Sequence, residues 1–226
     1  LELLVADIAA LSPAPEIALT TNGIGLAARA EKLAAAGLKR INISLDTLDP
    51  QTFAELAHRP RLPDVLAGIA AAREAGLNPV KINSVLLRGV NDHEAFDLLR
   101  WAMDEQVQLR FIEQMPLDPQ HGWPRDEMIT AAAIKQHLGE HGGLAEDPDN
   151  APIRGSATAE PVRVVGTGYS VGIIAAVSKP FCGNCDRVRL TADGQIRNCL
   201  FARTESDLRT PLRSGASDST IAALWV

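Results

Sequence analysis

The chain has no fourth cysteine. Its 226 residues contain three, Cys182, Cys185 and Cys199, all inside the stretch 181–201. An odd set confined to one stretch excludes a disulfide framework; it reads as reduced, metal-binding and cytoplasmic. A closed structural zinc site wants four ligands, so three thiolates leave one position of a metal centre to something else. Long apolar runs are missing too. None approaches the ~20 residues of a membrane span, and no membrane role is expected. Nor is there an excess of positive charge: the net charge is -6, against bulk nucleic-acid binding or attachment to an anionic surface. No signal peptide is visible, but the first residue is Leu1 and not Met, so its absence proves little. Low-complexity tracts are lacking, as are internal repeats beyond the βα units described below. The Gly-rich run 166–172 lacks the Gly-Lys-Thr/Ser ending of a phosphate loop and reads as a hairpin turn. His137 and His141 are four apart on a helical pattern, but no Glu follows His137, so they form no metalloprotease motif. They matter only as sources of a fourth zinc ligand.

What is present is an ordinary globular composition, 46% hydrophobic and 22% charged, long enough to bury a real core. The informative stretch is FCGNCDRVRLTADGQIRNCLF, 181–201. A Cys-x-x-Cys turn lets two sulfurs converge on one centre. The residues that follow read as a hairpin turning at Ala192-Asp193-Gly194, which returns Cys199 to the first pair. Four Arg stand against two Asp within 181–203, a local positive spot on an acidic protein, as an anionic ligand requires. Soft thiolates suit an iron–sulfur cubane with one open iron, or a zinc ribbon completed by a histidine. Spacing alone does not separate the two.

In chain order, a helical pattern at 1–11 is followed by strand patterns at 17–19, 40–45, 79–87 and 108–115. Helical patterns at 29–36, 50–57, 62–75 and 94–105 lie between them. This alternation implies parallel strands with helices packed outside. Four strands cannot close a barrel, so a TIM-like reading needs strands beyond these, and an open doubly wound sheet also fits. From His121 the character changes. A loop at 122–124, a helix at 130–141 and an acidic, exposed stretch at 142–155 are expected. Short strands at 161–165, 171–177, 187–191 and 195–198 and helices at 208–213 and 220–226 follow. This second part is α+β and carries the cysteines.

Ligands of parallel βα proteins sit at the carboxyl ends of strands, here at Thr20-Thr21-Asn22, Ser44-Leu45-Asp46 and Glu113-Gln114-Met115. The plainer alternative is that Thr20, Asn22 and Asp46 cap helices and that Met115 packs in the core. Lys81 lies inside an apolar strand, on one face with Asn83, and Arg110 repeats the pattern in the next. Either both snorkel to solvent, or two cations in neighbouring core-type strands face an anion.

Taken together, LTTNG (19–23), INISLDTL (41–48), PVKINSVLLRGVND (79–92), LRFIEQMP (109–116) and FCGNCDRVRLTADGQIRNCL (181–200) resemble the GTP 3',8-cyclase family. These are the radical-SAM enzymes that open molybdenum-cofactor biosynthesis. The resemblance implies an incomplete parallel (β/α)6 TIM-like partial barrel over 1–120, then an α+β iron–sulfur domain over 121–226. It implies two [4Fe–4S] clusters: one that cleaves S-adenosylmethionine to a radical taking hydrogen from the ribose C3' of GTP, and one that offers an open iron to guanine. By motif, Cys182, Cys185 and Cys199 would ligate the second cluster. Thr20, Lys81, Arg110, Arg187, Val188 and Arg189 would hold GTP, and Ser44 and Met115 would contact S-adenosylmethionine. No residue is assigned to the radical chemistry itself. The family's CxxxCxxC motif is not in this chain, nor is its Gly-Gly tail. A fragment truncated at both ends, inactive alone, is therefore expected. A non-catalytic zinc module and another radical-SAM enzyme with an auxiliary cluster are the alternatives. The partner implied is GTP; a homodimer is allowed, and the reductant is not identified by sequence.

Overall fold

The computed structural model describes residues 1–117, 123, 125–146 and 157–224. The βα alternation takes shape in the first of two compact units, Leu1–Pro180; the second is Phe181–Val226. In the first unit β1 (Ala18–Thr21), β2 (Arg40–Ser44), β3 (Val80–Val85) and β4 (Gln108–Ile112) lie side by side and parallel. The helices are α1 (Glu2–Ala9), α2 (Ala30–Ala35), α3 (Pro50–Ala57), α4 (Leu62–Glu74) and α5 (Ala95–Asp104). Local chemistry sets their ends. The Asp49 carboxylate accepts the Thr52 N–H at 2.7 Å and Pro50 opens α3, a capped start with its first φ preset. Gly76, at φ 76°, closes the turn after α4, where a side chain would be strained.

After β4 come α6 (Ala131–Gly142), β5 (Leu144–Glu146), β6 (Glu160–Val164) and β7 (Ser170–Ile174). The seven strands form one sheet in the order β1-β2-β3-β4-β7-β6-β5, with β7 parallel to β4 and β6 and β5 antiparallel beyond it. The strand patterns at 161–165 and 171–177 thus extend the first sheet and do not join the cysteine-bearing part. An alternating pattern fixes a strand's faces, not the edge it joins. Here α6 supplies the crossover that parallel pairing of β4 with β7 demands, and Val162, Val164, Val171 and Ile173 enter the same core as Leu109 and Phe111.

Alternate residues of the parallel strands are fully buried: Ile41 and Ile43, Ile82 and Ser84, Leu109 and Phe111. They meet Leu33, Val65, Ile69, Leu98, Leu99 and Leu138 from the helices. The other face of the same strands is half-buried or exposed, and polar apart from residues such as Val85 and Ile112. Parallel strands covered on both faces read as continuous apolar runs; the alternation here keeps one face for something else.

The second unit has a three-stranded antiparallel sheet, β8 (Arg189–Leu190), β9 (Gln195–Arg197) and β10 (Ser206–Asp207), followed by α7 (Arg209–Arg213) and α8 (Asp218–Ala223). Strands as short as β5 and β10 leave no periodic signal and were not expected. Of the expected features, 147–155 in the acidic stretch, 122 and 124 in the loop, and 225–226 at the last helix lie outside the described residues. No helix among the described residues is long and apolar enough to cross a membrane.

Candidate functional site

The polar face of the first sheet follows from strand register. Thr20 pairs with Asn42, Asn42 with Lys81, and Lys81 with Gln108. One step along, Ser44 pairs with Asn83, Asn83 with Arg110, and Arg110 with Gly172. Laterally paired residues share a face, so Thr20, Ser44, Lys81 and Arg110, singled out separately in the sequence, stand on one surface.

Arg110 is the centre of that surface. Its Nε donates to Asn83 Oδ1 at 2.9 Å and its Nη2 to Asn42 Oδ1 at 2.8 Å; Asn42 Nδ2 donates in turn to Thr20 Oγ1 at 3.1 Å. No carboxylate pairs with Arg110 or Lys81 among the described residues. Burial, then the neighbouring guanidinium of Arg40, holds the Arg110 pKa below its ordinary value. Lys81 is lowered by burial first, then by Arg110 and Arg40. Arg40 itself pairs with Glu16 at 3.1 Å. Arg110 depresses Lys81, which feels only a weaker opposing pull from Glu16, and among the described residues neither half-buried cation is ion-paired with a carboxylate, an arrangement that suits an anion.

The strand ends divide the remaining candidates. Ser44 is exposed at the end of β2, and Met115 is half-buried past β4. Asp46 does not cap a helix: its Oδ1 accepts the Val85 N–H at 2.8 Å, and burial pushes its carboxyl up against that bond. Asn22 closes its own turn, accepting the Ile24 N–H at 3.1 Å. Glu113 is a buried clamp and no ligand. It accepts main-chain N–H groups from Ala131 (2.7 Å), Val177 (2.8 Å) and Ser178 (2.8 Å), plus the Ser178 hydroxyl. Burial would raise its pKa, but these bonds outweigh it and the carboxyl lies below its ordinary range. His137, Glu140 and His141 bring donor atoms within 4.8 Å of one another. They occupy the exposed end of α6, where the His141 ring bonds the His137 carbonyl at 2.9 Å and packs near Phe96.

In the second unit all three cysteines are exposed free thiols. Cys182 opens a 3-10 turn, and the Cys185 N–H donates to the Cys182 carbonyl at 3.2 Å. Arg187 Nη2 donates to Cys185 Sγ at 3.0 Å. The Arg187 main-chain N–H and then its side chain hold the Cys185 thiol below its ordinary pKa, favouring the thiolate that ligates metal. Arg189 pairs with Arg197 across β8 and β9, and this antiparallel pairing turns the chain that leads on to Cys199 back toward the segment that carries Cys185. Cys199 Sγ accepts the Phe201 N–H at 3.4 Å, a contact of the kind that tunes cluster sulfurs. Val188 is exposed, and Arg189 Nη1 is buried without a partner. This donor set suits a thiolate-bound metal centre beside an anion.

Comparison with known proteins decides the family. Residues 107–226 match the model of the Molybdenum Cofactor Synthesis C family, and residues 1–102 that of the Radical SAM superfamily. The chain belongs to the Molybdenum Cofactor Synthesis C family. A relative named GTP 3',8-cyclase from Streptomyces coelicolor is 56% identical over 222 residues, 98% of this chain and 64% of its own length. Proteins of the same name from Mycobacterium sp. (strain KMS) and Mycolicibacterium smegmatis are each 56% identical, over all of this chain and 63% of theirs. The chain thus spans under two thirds of the length of these relatives.

Sequence reasoning set Asn83 on the face of Lys81 but missed its bond to Arg110, and it missed Asn42 and Gly172 altogether. A signal existed for the asparagines: polar residues at alternate positions of otherwise apolar strands, in INIS and KINSV. Only register shows that they meet on one arginine.

Proposed function

We propose that this chain is the substrate-binding part of a GTP 3',8-cyclase of molybdenum-cofactor biosynthesis, a cytoplasmic lyase. The reaction converts GTP to (8S)-3',8-cyclo-7,8-dihydroguanosine 5'-triphosphate by radical chemistry derived from S-adenosylmethionine. The observation that carries this reading is the polar sheet face with two cations, neither ion-paired with a carboxylate among the described residues. Lys81 and Arg110 hold the triphosphate, Arg110 with three of its five N–H donors left after the two spent on Asn83 and Asn42. Thr20 presents a hydroxyl to the nucleotide, and Ser44 and Met115 contact S-adenosylmethionine. Residues 1–120 form the radical-SAM portion, part of a partial barrel. Residues 121–226 form the cluster and GTP portion. The family matches at 1–102 and 107–226 support that division.

Cys182, Cys185 and Cys199 hold a [4Fe–4S] cluster whose open iron, when bound, supplies a Lewis acid for the guanine base. Arg187, Val188 and Arg189 add a further contact to the nucleotide. With its three cysteines so used, the chain alone has no thiolates for a radical-generating cluster.

The test is binding of GTP and guanosine to the anaerobically reconstituted chain and its Lys81→Ala and Arg110→Ala variants. A charge-assisted phosphate contact contributes ~1.5–3 kcal/mol, so each variant should weaken GTP about ten- to a hundredfold and leave guanosine alone. Equal losses for both ligands would refute the triphosphate assignment. Stoichiometric zinc in native material, without iron and sulfide, would favour a zinc module instead.

A further inference from the structure

We infer that Asn42 and Asn83 are positioning residues that aim Arg110 while leaving its charge unspent, and that Gly172 is glycine because the braced arginine lies over it. The inference rests on the reading that Arg110 faces the triphosphate. A half-buried guanidinium in a protein usually pairs with a carboxylate, which fixes its plane but cancels its charge. Here both fixing acceptors are neutral amide oxygens, Asn83 Oδ1 at 2.9 Å and Asn42 Oδ1 at 2.8 Å. They approach two different nitrogens, Nε and Nη2, so the guanidinium plane is set and cannot swing about the side-chain axis. Asn42 is oriented in turn, since its amide nitrogen donates to Thr20 Oγ1 at 3.1 Å. The network therefore joins Thr20, Asn42, Asn83 and Arg110 across four strands and contains no negative charge.

Gly172 completes the brace from the far side. It pairs with Arg110 in register, and a Cβ built on it would stand 2.8 Å from Arg110 Cγ and 3.2 Å from Ala159 Cβ. The first distance lies well inside van der Waals contact. The obstructed atom is near the root of the arginine, so relief means displacing the whole side chain. Gly172 has no left-handed backbone to account for its identity, being absent from the positive-φ glycines. Close approach of the neighbouring side chain is the remaining reason for a glycine inside a strand.

The experiment measures GTP and guanosine affinity, with thermal melting as a folding control, for the reconstituted chain and for Asn83→Asp, Asn83→Ala, Gly172→Ala, Arg110→Ala and Asn83→Ala/Arg110→Ala. Asn83→Asp discriminates best. It keeps an acceptor for Arg110 Nε, so a merely structural asparagine predicts unchanged GTP binding. The charge-preserving role predicts a melting temperature equal to or above the parent, GTP weakened about tenfold or more, and guanosine unmoved. Asn83→Ala and Gly172→Ala should each weaken GTP severalfold with guanosine unmoved. Asn83→Ala should add nothing once Arg110 is gone, because the residue acts only through it. Parent-like GTP binding by a folded Asn83→Asp protein would overturn the inference, as would additive losses in the double variant. Normal GTP binding by Arg110→Ala would instead sink the underlying assignment of Arg110, so the two failures are distinguishable.

Discussion

Two side chains, Lys81 and Glu113, carry predictions at the scale of single residues. Lys81 is pushed down by burial and by Arg110 and Arg40; a bound triphosphate would pull it back up. GTP affinity should therefore fall as pH rises toward the depressed Lys81 value, in a range below that of an ordinary lysine. Lys81→Arg should flatten this profile, and a profile identical in both proteins would show that Lys81 does not titrate against the ligand. Glu113 acts on stability. Its folded pKa lies below the ordinary 4.5, so its contribution is fully present above that value and is lost as pH falls through the folded one. Glu113→Ala leaves three main-chain amides without their acceptor, a loss of about 3 kcal/mol or more, and Glu113→Gln should remove the acid-range dependence in denaturant titrations. Its place at a strand end made Glu113 a ligand candidate in the sequence. Only the return of α6 and of the segment after β7 shows a clamp.

At the scale of elements, the second unit is the fragile one. Among its described residues only Ile196 and Leu208 are buried apolar side chains, and a unit of 181–226 with so small a core needs a staple. Removing iron with a chelator should raise amide exchange in β8 and β9 by orders of magnitude while β2, β3 and β4 stay protected. Uniform protection throughout would mean that the hairpin folds without its centre. Arg187→Ala and Arg189→Ala should weaken GTP about ten- to a hundredfold, more than guanosine, and a loss common to both ligands would mean that the arginines act through folding. Much of the element plan was legible because period and punctuation agree. RINIS and VKINSV alternate cleanly, Pro50 and Thr130 mark helix starts, and Gly76 marks an end. The placement of β6 and β7 was not, since edge choice is a tertiary property. Gly172 was hidden for the same reason: in GTGYSVG it resembles a turn glycine, but it lies in β7 against Arg110.

For the whole molecule, Thr20, Ser44, Lys81 and Arg110 were legible as candidates because polar groups inside apolar parallel strands ask for partners. The carboxamide brace was not, because it joins residues 42, 83 and 110 that only register brings together. The cysteines were legible from spacing alone, yet spacing left zinc and an iron–sulfur cluster equally open; the Arg187–Cys185 contact favours the thiolate that ligates either. The proposed function turns most directly on whether the three-cysteine centre takes the base of GTP. The most direct measurement is the magnetic resonance spectrum of the reduced, anaerobically reconstituted chain with GTP carrying nitrogen-15 in the purine. The account predicts a spectrum that changes on adding GTP and shows hyperfine coupling to the label, and both effects should vanish in Cys199→Ser. A spectrum indifferent to GTP, in protein shown by equilibrium binding to hold it, would contradict the claim.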